Sequence, residues 1–349
     1  MPVIWLIDAY RAGERGQVRA LVDALGWPYE IKELTYRRHV VLPHVLGEAS
    51  LRGISAQSAA LLRPPWPDLV ITSGVRNEPV CRWIRAQSSG RTRYVHVGRP
   101  WAALRTFDLV ITTPQYRVPS RPNVLNNILP LHSVTAARLA QARAEWESTF
   151  AELPRPRFAV IVGGDSGPFT LGPKAAARLG REASQLARAH GGSLLVSTSS
   201  RTGEAAVDAL QSAISAPHYF FRWKGGGGGN PYMGILAWAD RLVVTADSIA
   251  MLSEACATGK PVSMFDLGGM RNLEDESQRD FRLGGTLYAL LMRWFWQRLS
   301  RDLTLVHSRL RESGRAAWLE EVLVTARVPA ETDLQRAVAA VHKLLDAEN

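Results

Sequence analysis

The feature that most constrains this chain is a rhythm: short apolar, β-branched runs recur, each closed by a polar or turn-forming cluster and followed by a stretch of helical character. In the first half the runs are residues 3–7, 69–71, 94–97 and 109–111, and they end at Asp8, Thr72-Ser73-Gly74, Gly98-Arg99-Pro100 and Thr112-Thr113-Pro114. Residues 16–25 place Val18, Leu21, Val22 and Leu25 at helical spacing, and residues 78–85 read as a second helix. A strand apolar along its whole length is buried on both faces, which points to parallel βαβ units. After a helical stretch at 136–153, the segment Pro154-Arg155-Pro156-Arg157 reads as a linker and the rhythm restarts. Strands follow at 158–162, 193–197, 219–221, 241–245 and 262–265, with helices at 173–190, 202–214, 232–239 and 248–258. The expectation is an α/β protein of two Rossmann-like, doubly wound domains, 1–153 and 157–330, meeting near residue 155. A last amphipathic stretch, 331–349, is expected to cross back to the first domain. A length of 349 residues agrees with two cores rather than one.

In open parallel sheets ligands bind beyond the carboxyl ends of the strands, and three segments there carry chemistry. The first is Gly163-Gly164-Asp165-Ser166-Gly167, whose glycines permit close backbone approach and whose amides suit a diphosphate, although an ordinary βα turn would read the same. The second, Ser197-Thr198-Ser199-Ser200-Arg201, offers hydroxyls and a guanidinium at a helix start. The third runs from Thr245-Ala246-Asp247-Ser248 to Gly259-Lys260-Pro261-Val262. Here Asp247 or Ser248 is expected to cap the next helix and leave its amide end for a phosphate, with Glu254 placed to accept from ribose hydroxyls. Just upstream, the run Gly225–Gly229 can serve as a mobile cover or a passive linker before Asn230-Pro231-Tyr232.

The pattern Asp247-Ser-x-x-Met251-x-Ser-Glu254-Ala-x-x-x-Gly259-x-Pro-Val resembles the donor-site helix of GT-B glycosyltransferases. More narrowly, the chain to about Leu267 resembles the mitochondrial-fission "elongated mitochondria" family and its bacterial glycosyltransferase-like relatives. Further carriers of the likeness are Ile161-Val-Gly-Gly164, Asn230-Pro-Tyr232, Val97-Gly-Arg-Pro100, Phe107-Asp-Leu-Val110 and Asn123-Val-Leu125. The resemblance implies a GT-B architecture in which an acceptor domain and a nucleotide-sugar domain face across a cleft. It also implies transfer of a sugar from a nucleotide-diphospho-sugar, the donor substrate and the sole small-molecule requirement, to a hydroxyl on a glycan or lipid-linked acceptor. It puts the donor on Gly163, Gly164, Asp165, Ser166, Ser197, Ser199, Arg201, Asn230, Tyr232, Thr245, Asp247, Ser248, Met251 and Glu254. The absence of an Asp-x-Asp motif agrees with metal-independent transfer, with no metal ligands assigned. Where the family's first loop carries His, this chain has Glu14, within Gly13-Glu14-Arg15-Gly16-Gln17. Glu14, or secondarily Asp8, is then the candidate base, and a carboxylate would need desolvation to act as one. Acceptor contacts fall to Gly13, Gln17, Ser73, Arg76 and Arg99. Two other readings stay open: a nucleotide-sugar epimerase or hydrolase of the same fold, and a non-enzymatic adaptor in membrane or organelle division.

The net charge of +10, from 42 Lys and Arg against 32 Asp and Glu, is dispersed without a long basic run, which argues against nucleic acid. It fits either Arg-rich codon usage or a surface resting on anionic membrane. Residues 288–298, with Trp294, Phe295 and Trp296 between Arg293 and Arg298, fit a membrane interface or a helix packed on the domain. The two cysteines, Cys81 and Cys256, read as free thiols of a reducing compartment. With no apolar run of about 18 residues and a first strand in place of a secretory signal, the expected location is cytoplasmic, including the cytoplasmic face of the inner membrane.

Overall fold

The computed structural model describes residues 1–37, 48–225, 229–268, 280–294, 300–321 and 329–346. Glycines 226–228 of the glycine run and residues 295–298 of the aromatic stretch lie outside these. The strands are β1 (Ile4–Ile7), β2 (Tyr29–Lys32), β3 (Leu69–Ser73), β4 (Arg93–Val97), β5 (Leu109–Thr112), β6 (Val124–Asn126), β7 (Arg157–Ile161), β8 (Ser193–Ser197), β9 (His218–Phe221), β10 (Arg241–Thr245), β11 (Val262–Phe265) and β12 (Ala317–Trp318). They form two six-stranded sheets, in the orders β2-β1-β3-β4-β5-β6 and β12-β11-β10-β7-β8-β9, and all pairings are parallel. The two-domain α/β reading therefore stands.

In the first sheet, alternation along β1 sends Ile4 and Leu6 to one face and Trp5 and Ile7 to the other. The first face packs on Val18, Leu21 and Val22 of the helix Ala12–Leu25. The second packs on Val80, Cys81 and Ile84 of the helix Glu78–Gln87. Both faces are covered, which is why the central strands read as continuous apolar runs.

The chain divides into two compact units, residues 1–133 with 330–349, and residues 134–329. The division thus falls about twenty residues before the Pro154–Arg157 linker. The reason is local: the helix Ala136–Glu145 packs on the helix Tyr232–Trp238 of the second unit, and Phe150 of the helix Glu147–Phe150 meets Tyr219 of β9 edge-on at 5.0 Å. A Cβ on Gly234 would sit 2.5 Å from the Trp146 indole, so only glycine admits this approach. Trp238 Nε1 donates to Arg143 O at 2.7 Å, and the Arg143 guanidinium lies 4.2 Å from the Trp238 ring.

The C-terminal helix Asp333–Asp346 belongs to the first unit, where Ala337 and Val341 are fully buried against the face that holds Val18 and Leu21. Its Asp333 carboxylate accepts from the amides of Ile128 and Leu129, and Asn127 Nδ2 donates to Asp333 O.

Candidate functional site

The second sheet winds outward from β7 in one direction and from β10 in the other, so the topological switch point lies between these two adjacent strands. That is where an open parallel sheet leaves a crevice beyond its carboxyl ends. The loops emerging there are Gly163-Gly164 and Ala246-Asp247-Ser248. They are bound to each other. Gly163 N donates to Thr245 Oγ1 at 2.8 Å and Gly164 N to Asp247 Oδ2 at 3.0 Å. An added Cβ would lie 2.3 Å from Asp247 Oδ2 at Gly163 and 2.1 Å from Arg201 O at Gly164. The glycines are needed for contact between loops, and their amides are already satisfied rather than open to a diphosphate.

The capping expectation is corrected in the same way. The helix Ile249–Cys256 has Ser248 at its N-cap and no side-chain cap hydrogen bond. Asp247 turns its fully buried carboxylate away, toward Gly164 N and Arg201 Nη2 at 3.0 Å. Burial pushes its pKa up, partly offset by Arg201. Among the described residues no side chain caps the first turn of this helix, whose Ser248 and Ile249 are buried while Ala250 is exposed and Met251 half-buried.

Arg201 ties the site together. Its Nη1 donates to Asp165 O at 3.2 Å, its Nη2 pairs with Asp247, and its side chain keeps 41% of its surface exposed. Ser199 Oγ donates to Gly163 O at 2.9 Å, with Thr202 Oγ1 on the same carbonyl, and Ser197 is buried. Asp165 and Ser166 are held by protein groups: Asp165 by Leu171 N and Arg282, Ser166 Oγ by Arg301 Nη2 at 3.0 Å. Asp280 accepts from the amides of Gly172, Lys174 and Ala175, so the start of the helix Pro173–Ala189 is occupied by a carboxylate. Nothing local in the sequence marks Asp280, Arg282 or Arg301 as partners of this loop.

Glu254 is positioned, not solvated: Tyr232 OH donates to its Oε2 at 2.5 Å, and Tyr232 N bonds Asn230 Oδ1 at 3.0 Å. Burial raises the Glu254 pKa above its ordinary 4.5, against the Tyr232 hydrogen bond that lowers it. Below pH 4.5 the group is protonated in folded and unfolded chains alike. As pH rises from there, the unfolded chain ionises first and stability falls until the raised folded pKa is passed. Glu254→Gln is expected to remove this decline, at most about 1.4 kcal/mol per pH unit within the window. Chemical denaturation of both proteins at pH 4 to 8 tests it; parallel curves would refute the burial of this carboxylate.

Sequence reasoning missed His307, on the helix Thr304–Glu312. Its Nε2 donates to Ala246 O at 2.7 Å, in the loop that carries Asp247, and its ring meets Trp318 edge-on at 5.4 Å. Nδ1 is buried with no hydrogen-bond partner. A second proton would need an acceptor there, and burial lowers the pKa to about 4.

The first unit has its own switch point, between β1 and β3. Asn77 pins it, with Nδ2 donating to Asp8 O (3.0 Å), Ser73 O (3.1 Å) and Thr72 Oγ1 (2.6 Å). The Asp8 carboxylate is held by Arg15 at 3.0 Å, Arg19 at 2.9 Å and the Ala9 amide. Gly13 to Gln17 are helical, not a loop, because the helix begins at Ala12; Gln17 Nε2 accordingly donates to Gly13 O within it. Glu14 lies 3.8 Å from Arg11 and leans on Gly74, whose φ of +87° only glycine adopts readily. Ser73 is buried, Arg76 stacks on Tyr10 at 4.6 Å, and Arg99 lies 5.6 Å from the Tyr116 ring.

A family model described as "Mitochondrial fission ELM1" matches residues 12–344. The chain belongs to the mitochondrial fission ELM1 family. Among ELM1-family relatives, the mitochondrial fission protein ELM1 of Arabidopsis thaliana is 30% identical over 237 residues, 62% of this chain and 55% of that protein. The chain thus matches little more than half the length of the plant relative. An uncharacterized protein of Rickettsia prowazekii is 24% identical over 294 residues, 75% of this chain and 82% of its own. Among solved structures, the UDP-GlcNAc 2-epimerase of Neisseria meningitidis bound to UDP-GlcNAc superposes with a TM-score of 0.48 at 12% identity, over all of both chains. MurG of Acinetobacter baumannii gives 0.46 at 12% identity, over 98% of this chain and 100% of that one. Among the described residues of this ELM1-family chain, no helix is long and apolar enough to cross a membrane.

Proposed function

We propose that the protein is a metal-independent glycosyltransferase of GT-B type, with the nucleotide-diphospho-sugar held at the switch point of the second sheet. The observation that carries this reading is the pairing, at one strand-end crevice, of a helix start at Ser248 without a side-chain cap with the partly exposed side chain of Arg201. Amide groups and an arginine together stabilise the charge that develops on a leaving diphosphate. Glu254, presented by Tyr232, then takes the ribose hydroxyls. Met251 stands one turn before Glu254 on the same helix, and the first unit binds the acceptor, which offers a glycan or lipid hydroxyl. The protein would work as a peripheral enzyme on the cytoplasmic side of a membrane.

The adaptor reading keeps one observation in its favour: both carboxylates read as bases, Asp8 and Glu14, already sit near arginines. A screen of UDP-, GDP-, ADP- and CMP-sugars for thermal stabilisation separates the two. One class of nucleotide is expected to stabilise by about 2.7 kcal/mol at a hundredfold excess over Kd, and Arg201→Ala to remove most of that. If no nucleotide stabilises the protein, or Arg201→Ala binds as well, the donor site is elsewhere or absent. Product analysis with donor alone distinguishes transfer, which then yields nothing, from epimerisation or hydrolysis.

A further inference from the structure

Over its described side chains, the helix Leu283–Trp294 meets the second unit along one side. Arg282 Nη2, just ahead of it, donates to Gly167 O at 2.7 Å. Gly285 packs on Pro168, and Tyr288 lies on Gly167 while its hydroxyl accepts from Arg301 N at 2.8 Å. These contacts define one helix face, at positions 282, 285 and 288. The other face carries Leu283, Leu287 and Leu290, one and two turns apart, exposed by 76%, 57% and 55%, with Phe281 exposed by 79% immediately before them. Residues 283–290 contain no charge at all. Elsewhere among the described residues, large exposed apolar side chains such as Ile31, Leu61 and Trp223 are scattered through the chain. Scattered side chains need no explanation, whereas a contiguous uncharged stripe marks a docking surface.

Charge decides what docks. At +10, two copies of this chain repel one another, while an anionic surface attracts each of them. Arg282 and Arg301 lie on the anchored side, where they bind Asp165 and Ser166, so the attraction comes from the net positive charge of the chain as a whole. We propose that this face seats the protein on an anionic lipid bilayer, with the helix lying in the plane of the interface. Its leucines reach the acyl boundary, and affinity follows apolar area plus attraction to anionic headgroups.

The test is flotation of the full chain with vesicles of phosphatidylcholine alone or containing phosphatidylglycerol, without nucleotide. Its outcome is thus independent of the donor-site reading. Binding is expected to require phosphatidylglycerol and to weaken with salt. Leu287→Glu with Leu290→Glu should lower partitioning about a hundredfold, roughly tenfold per leucine, while Leu61→Glu on the first unit leaves it unchanged. Hydrogen exchange of the unsubstituted protein should slow at residues 281–290 when vesicles are added, a readout that needs no variant. Wild-type protein that stays with the unbound fraction, or a double variant that floats equally well, overturns the proposal. So does a wild-type dimer that the double variant dissolves, which would assign the stripe to a second copy.

Discussion

Gly164→Ala is expected to lower stability by roughly 3 kcal/mol or more and the melting temperature by about 10 °C, and to abolish any nucleotide-dependent stabilisation. The added methyl would stand 2.1 Å from the backbone carbonyl of Arg201, which has no rotamer through which to withdraw. Relief requires the loops after β7 and β8 to separate. Separation breaks the bonds from Ser199 and Thr202 to Gly163 O and the reach of Arg201 to Asp165 O. Gly203→Ala is the control: nothing lies within 4 Å of its Cβ position, and the change should cost at most about 1 kcal/mol as an altered helix N-cap. Calorimetry of the two variants beside the parent decides the matter. Equal melting temperatures would mean that the turn yields easily and is no rigid base for a phosphate site.

Acid should find its weak point at the histidines. His307 and His96 are both buried and both have their pKa lowered to about 4, by burial first and against a backbone hydrogen bond that raises it. As pH falls through 6.5 the unfolded chain takes up these protons while the folded chain does not until about pH 4, so stability drains away across that interval. His307→Gln keeps a donor for Ala246 O but cannot be protonated. Its stability is expected to change less steeply with pH between 6.5 and 4 than that of the parent, by up to about 1.4 kcal/mol per pH unit. His307→Phe keeps the ring beside Trp318 and leaves the carbonyl unpaired, at a cost of about 1–3 kcal/mol. If the carbonyl of Ala246 positions the Asp247 loop, the phenylalanine variant also weakens donor binding at pH 7.5 and the glutamine variant restores it. Identical nucleotide affinity in both variants would reduce His307 to a packing residue.

The central strands were legible because burial on both faces leaves an unbroken apolar run, as in Leu69-Val70-Ile71 and Val243-Val244. Of the edge strands, β9 was read at 219–221, but β2, β6 and β12 were not. β2 reads Tyr-Glu-Ile-Lys, half exposed, and β12 is two residues long, so neither has a pattern to show. The glycine turn and the Thr-Ala-Asp-Ser loop do follow the strands from which they were expected to emerge, β7 and β10. What Asp247 does could not be read, because a carboxylate beside a helix start looks like a cap until the vacant side of Gly163 is known to lie in front of it. The boundary between the units was misjudged for a related reason. Proline marks a chain break, but the helix Ala136–Glu145 takes sides through Trp146 and Gly234, residues almost ninety apart.

The helix Asp333–Asp346 gives the first unit a core assembled from segments far apart in the sequence. On the ribosome, the strand Ile4–Ile7 emerges ahead of the second unit yet waits for Ala337 and Val341 before one of its faces is sealed. Residues 134–329 are all available earlier, so the unit begun second is the one able to finish first. Until residues 333–346 are made, the nascent chain must keep Val18, Leu21 and Val22 from other partners, which makes that interval the period of greatest exposure to misassembly.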